Sequence, residues 1–233
     1  MSARLVILAG TGTDVGKTHV AEALIQANLP SATTRRLVAW KPYESGVVEG
    51  QPSDSERLRA AALASHAGWR LEPPLRRWSA PLAPPVAAFV EGAPLDHAPL
   101  LATLATLRAE ADVVLVELAG GLFAPLSATW LGVDLVRHFP EATLVVVASN
   151  RLGVLHGTIA TVRAARAEHV TVQHLVVCEQ ATPDPSAAHN LRLLRELAHA
   201  TLHSVAHASP AALADTASVC ELAARLFAAP AEP

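Results

Sequence analysis

A glycine-rich segment between an apolar strand-like run and a helix-like run constrains this chain more than any other feature. It reads Gly10-Thr11-Gly12-Thr13-Asp14-Val15-Gly16-Lys17-Thr18. Leu5–Ala9 precedes it as a buried-strand pattern, and good helix formers follow from Thr18 to Ala27, ending near Pro30. Such a turn aims several backbone N–H groups at one anion, and the amino end of the next helix adds positive potential. Lys17 has the reach to contact β- and γ-phosphates, and the Thr18 hydroxyl can ligate Mg2+. Thr11 stands where the common form of this loop has its first glycine, so the segment is a variant of the pattern.

The remaining chain alternates in the same way. Leu37–Trp40, Asp112–Glu117, Thr143–Ala148, Val172–Cys178 and a short Leu202–Val205 read as apolar strands. Ser53–Ala64, Leu100–Glu110, Val154–Glu168, Ser186–His199 and Pro210–Ala228 read as helices. Ser53 and Glu56 have capping-box spacing. Gly68–Pro99 is irregular and proline-rich, but Trp69, Trp78 and Phe89 lie in it, so an ordered excursion packed on the core is expected. Val113–Val136 is apolar but broken by Glu117, Pro125 and Asp134, which reads as strand, loop and short helix rather than a membrane span. Together these predict one α/β domain over residues 1–233. Its expected form is P-loop NTPase-like, a mostly parallel sheet with helices on both faces and ligands at the carboxyl ends of the strands.

Composition narrows the function. With 51% hydrophobic and 17% charged residues the chain can build a full core. A net charge of −3 argues against a general nucleic-acid binder. Cys178 and Cys220 are isolated, without metal or redox spacing, which fits a reducing compartment. No secretory leader pattern opens the chain. A cytoplasmic enzyme of small molecules, without nucleic acid or membrane, is the expectation.

Other chemistry-bearing residues also follow strand ends. Lys41, in Trp40-Lys41-Pro42-Tyr43-Glu44-Ser45-Gly46, can stabilise a transferring phosphoryl group, a carboxylate or a carbamate, and Ser45 can hydrogen-bond a polar substrate. Glu117 ends an apolar run, where a magnesium-binding acid or a hydrogen-bonded structural acid would fit. Asp54 is a second metal candidate or a helix cap. His199, His203 and His207 recur every four residues, but the strand-like pattern around Val205 argues against one helix carrying them as a metal site. Trp40, Trp69, Trp78 and Trp130 read as packing residues.

Four stretches together resemble the dethiobiotin synthetase family: residues 10–18, 40–46, the Ser53-Asp54 pair and Val116-Glu117-Leu118-Ala119-Gly120-Gly121. Weaker echoes lie at 80–92 and 151–158. The resemblance implies an ATP-dependent ligase of biotin biosynthesis that uses 7,8-diaminononanoate, carbon dioxide, ATP and Mg2+. An amine captures carbon dioxide as a carbamate, the γ-phosphoryl passes to it, and the second amine closes a ureido ring. By motif, Thr13 and Lys17 contact phosphate or carbamate, Asp14 lies near the reacting amine, and Lys41 stabilises the carbamate and the transferring phosphoryl. Thr18, Asp54 and Glu117 hold the metal. Val15, Gly16, Leu118, Ala119 and Gly120 complete the phosphate side, and Glu179 and Gln180 stand in the base-reading region. Ser45 and the loop Gly153-Val154-Leu155-His156 take the substrate, the loop through backbone N–H groups toward its carboxylate. Homodimers with sites near the interface are implied too. Three positions depart from the family: Leu118 replaces a glycine beside the phosphates, His156 replaces an asparagine, and Cys178-Glu179-Gln180 replaces an Asn-Asp pair. Two other readings follow. One is a partition-type P-loop switch ATPase, against which Thr11 and Gly12 stand in place of an extra lysine. The other is a diverged nucleotide-binding relative without ring closure.

Overall fold

The computed structural model describes residues 3–27, 36–65 and 67–227. Pro30 and Ala228, the expected ends of two helices, lie outside them. The elements in chain order are β1 (Arg4–Gly10), α1 (Lys17–Gln26), β2 (Leu37–Trp40), β3 (Tyr43–Ser45), α2 (Asp54–Ala64), β4 (Arg70–Glu72) and β5 (Arg76–Trp78). Then come α3 (Pro84–Val90), α4 (Ala98–Glu110), β6 (Val113–Gly121), α5 (Gly132–His138), β7 (Thr143–Ser149) and α6 (Val154–Ala167). The chain continues with β8 (His174–Cys178), α7 (Ala187–Leu197), β9 (Thr201–Val205), α8 (Pro210–Ala214) and α9 (Ala217–Phe227).

Seven strands form one sheet in the order β4-β2-β6-β1-β7-β8-β9, and every pairing in it is parallel. Alternation along β1 shows why both faces need helices. Leu5, Ile7 and Ala9 enter one apolar cluster with α4, α5, α6 and α7, whereas Val6 and Leu8 enter the other with α1, α2, α8 and α9. Each fully buried aliphatic side chain contributes about 1.5–3 kcal/mol of transfer free energy, so the two layers hold the central strands rigidly beneath the loops.

Differences from the sequence expectation are local. The helix expected over Pro210–Ala228 breaks at Asp215–Thr216 into α8 and α9. β6 runs past Glu117, so Gly10 and Gly121 face each other across the sheet. The 68–99 excursion holds β4, β5 and α3, with Trp69 and Trp78 buried as expected. Phe89 is a correction: it is 76% exposed. The short helix α3, opened by Pro84 and Pro85, turns Ala87 and Ala88 inward, and this leaves Phe89 and Val90 outside. β5 also pairs with β3 in a separate two-stranded sheet, where Tyr43 packs against Trp78 with ring centroids 6.1 Å apart. Trp40 is buried too, and Trp130 stacks on His97 at 4.2 Å.

Candidate functional site

The loop between β1 and α1 sits over the carboxyl edge of the sheet, fixed by strand contacts. Thr11 N–H donates to Val147 O (2.9 Å) and Leu122 N–H donates to Gly10 O (2.9 Å). Gly16 has a φ of 97°, and a Cβ there would lie 2.9 Å from Cys178 Sγ. Only glycine meets both demands. Cys178 is buried against the loop, and burial pushes its thiol up to about 12, so it acts as an inert packing group.

Four strand or helix ends then converge on a cleft of about 360 Å³. From the loop and α1 come Thr13, Asp14, Gly16, Lys17, Thr18 and His19. From the segment after β2 come Lys41, Tyr43 and Ser45; from α2, Asp54 and Arg57; from β6, Glu117, Ala119 and Gly120. The sequence thus anticipated most of this wall. It missed His19, Tyr43 and Arg57, although Arg57 follows Asp54 by one helical turn and so shares its face.

The centre is a dense charge cluster. Glu117 is 1% exposed. Its Oε1 accepts from Thr18 Oγ1 (2.7 Å) and from Lys41 Nζ (2.7 Å). Lys41 Nζ also donates to Asp54 Oδ2. Burial works against the Lys41 charge, but Glu117 and Asp54 outweigh it and hold its pKa above the usual lysine value. Burial likewise opposes the Asp54 charge, and Lys41 overcomes it to bring that carboxyl below its usual range. Lys17 differs: burial lowers its pKa, and Glu117 only partly restores it. The Lys17 ammonium reaches back to Gly12 O at 2.9 Å. Arg57 is braced by Glu22 through Nε (3.1 Å) and Nη2 (2.5 Å), and its Nη1 lies 3.8 Å from Asp54.

One atom speaks to a metal. Glu117 Oε2 is buried and has no hydrogen-bond partner among the described residues, although it shares a carboxylate with the oxygen that Thr18 and Lys41 engage. An orphaned carboxylate oxygen beside a hydroxyl and a second carboxylate is a hard-oxygen donor set, which Mg2+ favours. Thr18, Asp54 and Glu117 therefore fit the ion.

Several expected residues lie off the cleft wall. Leu118 is corrected: its side chain is 1% exposed in the core cluster, packed toward Gly132. Successive strand residues point to opposite faces, so placing Glu117 over α1 directs Leu118 away from the cleft. Val15 is buried beneath the loop. Glu179 follows β8, with both carboxylate oxygens held by Asn150 Nδ2 (2.9 and 2.8 Å), while Gln180 Nε2 donates to Ser149 Oγ (2.6 Å). Asn150 in turn accepts from Asn190 Nδ2 at 2.9 Å. The Ser149-Asn150 pair, polar residues where the apolar strand β7 ends, was the sequence signal for this network. At the start of α6, Gly153 and His156 are exposed, Leu155 is half-buried and Val154 is buried. His199 lies between α7 and β9, His203 on β9 and His207 beyond it, so no single helix presents the three. Among the described residues no helix is long and apolar enough to cross a membrane.

Similarity to known proteins extends over most of the chain. A family model described as an AAA domain matches residues 4–214. The ATP-dependent dethiobiotin synthetase BioD of Anaeromyxobacter sp. (strain Fw109-5) is 38% identical over 190 residues, spanning 80% of this chain and 82% of that protein. The enzyme of the same name from Aromatoleum aromaticum is 35% identical over 219 residues, 91% and 95% of the two chains. Among solved structures, a ParA family ATPase from Chlorobium tepidum TLS superposes with a TM-score of 0.55 at 13% identity, covering 96% of this chain and 99% of that one. At that identity the likeness shows the fold alone.

Proposed function

The chain belongs to the ATP-dependent dethiobiotin synthetase family, ligases of biotin synthesis, and on that premise we propose a specific reaction for it. It joins carbon dioxide to 7,8-diaminononanoate and closes the ureido ring, giving dethiobiotin while ATP becomes ADP and phosphate. The observation that carries this reading is the convergence of Lys17 and Lys41 on one cleft whose buried acid, Glu117, has an unsatisfied oxygen.

The chemistry brings together two anions, a triphosphate and a carbamate, which repel each other. Lys17 and the loop N–H groups hold the β- and γ-phosphates, and Lys41, across the cleft, holds the carbamate and the phosphoryl in transit. The carbamate oxygen takes the γ-phosphoryl and ADP leaves; the second amine then attacks the carbonyl carbon and expels phosphate. Catalysis is mainly positioning, because attacking and leaving oxygens must stand in line. Thr18, Asp54 and Glu117 would hold Mg2+, which when bound neutralises phosphate oxygens. Asp14 and Thr13 border the reacting amine, and Ser45 hydrogen-bonds the diamine. The Gly153–His156 backbone receives the far carboxylate, and Glu179 and Gln180 border the base. The homodimer implied by the resemblance belongs to this reading, and sedimentation velocity tests it.

The deciding experiment supplies ATP, Mg2+, bicarbonate and diaminononanoate and follows phosphate. Release that depends on the diamine supports the ligase. Slow release indifferent to the diamine points to a switch ATPase. Nucleotide binding without turnover points to a diverged relative.

A further inference from the structure

Glu44 lies on β3 between Tyr43 and Ser45, the two residues of that strand that line the cleft. Its own side chain is 3% exposed, yet both carboxylate oxygens are engaged. Oε1 accepts from the Ser55 N–H (2.5 Å), and Oε2 accepts from the Ser55 hydroxyl (2.6 Å) and faces Arg77 Nε at 3.2 Å. Ser55 is the second residue of α2, and first-turn N–H groups have no partner within their own helix. Ser53 satisfies the next one, Glu56 N–H, at 3.4 Å, and Glu56 reciprocates on Ser53 N–H at 2.7 Å. The Ser55 N–H is therefore capped from a different element. From β5, Arg77 Nη2 donates to Ser53 Oγ at 2.8 Å. Both sequence neighbours of Asp54 are thus tied to the small β3–β5 sheet.

We propose that Glu44, braced by Arg77, is a positioning residue for the metal–nucleotide site: it fixes the first turn of α2 so that the Asp54 carboxylate stays over the cleft. The inference rests on the function proposed above and adds residues to it. Its physical need is visible in the connection it spans. Between β3 and α2 the chain is an irregular loop with Gly46 and Gly50 at φ of 75° and 78°, so regular structure does not carry the position of the first turn of α2 across from β3. The Asp54 side chain is itself 40% exposed, so burial does not lock it. A buried carboxylate at a helix amino end, matched by an arginine, is a rigid tether there.

The test is Mn2+ binding, followed by electron paramagnetic resonance, in the presence of a non-hydrolysable ATP analogue. Wild type, Glu44→Gln, Arg77→Gln, Asp54→Asn and the Glu44→Gln/Asp54→Asn double variant are compared. Glu44→Gln should weaken Mn2+ by about tenfold, as loss of a group supporting a metal ligand does. Affinity for the analogue without metal should stay unchanged, and Arg77→Gln should shift Mn2+ binding the same way by less. In the Asp54→Asn background, Glu44→Gln should cost nothing further, because its effect passes through Asp54. If Asp54→Asn weakens Mn2+ while Glu44→Gln does not, or if the two losses multiply, the inference is overturned and the proposed function stands. If Mn2+ binding ignores Asp54→Asn, the proposed ligand set is at fault and the inference falls with it. Should Glu44→Gln fail to fold, Arg77→Gln decides alone: Arg77 is 40% exposed, and unchanged Mn2+ affinity in that variant overturns the inference.

Discussion

Lys41→Met removes the cation shared by two acids, and the structure indicates how the loss divides. Removing one partner of a buried ion pair costs about 3–5 kcal/mol when the other is left without water. The Asp54 side is 40% exposed and well screened, so its share is below about 1 kcal/mol. The Glu117 side dominates. Among the described residues its Oε2 has no hydrogen-bond partner, and its Oε1 would keep only the Thr18 hydroxyl. Free of metal and nucleotide, the variant should lose roughly 2–4 kcal/mol of stability, about 5–15 °C in Tm for a domain of this size. Added Mg2+ and ATP should recover much of that deficit, because the metal ion then supplies the missing counter-charge. Turnover behaves differently. Losing a donor aimed at developing charge costs about 10²–10³ in kcat. ATP affinity rests on the loop backbone and Lys17 and should change little. Thermal melts with and without ligand, calorimetric ATP binding and phosphate-release kinetics measure each quantity separately. Equal loss of turnover and ATP affinity would remove Lys41 from the reacting centre, and a metal-free Tm matching wild type would refute the stranded-charge argument.

Two further outcomes follow from burial. Leu118→Ala should cost about 2–5 kcal/mol in urea unfolding and leave kcat and the KM for ATP unchanged, since the side chain fills the core; a changed KM would return Leu118 to the cleft. Burial, aided by His203 and Arg225, lowers the pKa of His174 to about 4. A pKa lowered by folding contributes stability that is fully present above the ordinary value of 6.5 and is lost as pH falls from there through about 4. Wild-type Tm should fall across that window more steeply than that of His174→Asn, and coincident profiles would assign the acid sensitivity elsewhere.

What the sequence disclosed and what it concealed divide along one physical line. The loop and Lys41 were legible because each directly follows an apolar strand, and Glu117 because it closes the apolar run of β6, in a parallel sheet that brings every strand's carboxyl end to one edge. Leu118 was misplaced because a motif is a linear string, whereas a strand sends successive side chains to opposite faces. Placing Glu117 over α1 therefore already sends Leu118 into the other layer. Phe89 misled in the same way: an aromatic residue in an irregular stretch suggests packing, but one short helix turned Ala87 and Ala88 inward instead. The β3–β5 sheet was invisible because three-residue strands carry no period to read. Glu44 shows the consequence. Its meaning depends on Ser55, eleven residues away, and on Arg77, thirty-three residues away, and neither spacing follows helical or strand geometry. Cleft residues at strand ends leave a local signature, whereas a group that fixes those ends can come from wherever the chain passes close by. Motif reading therefore finds residues that line the cleft and misses the residues that hold them in place.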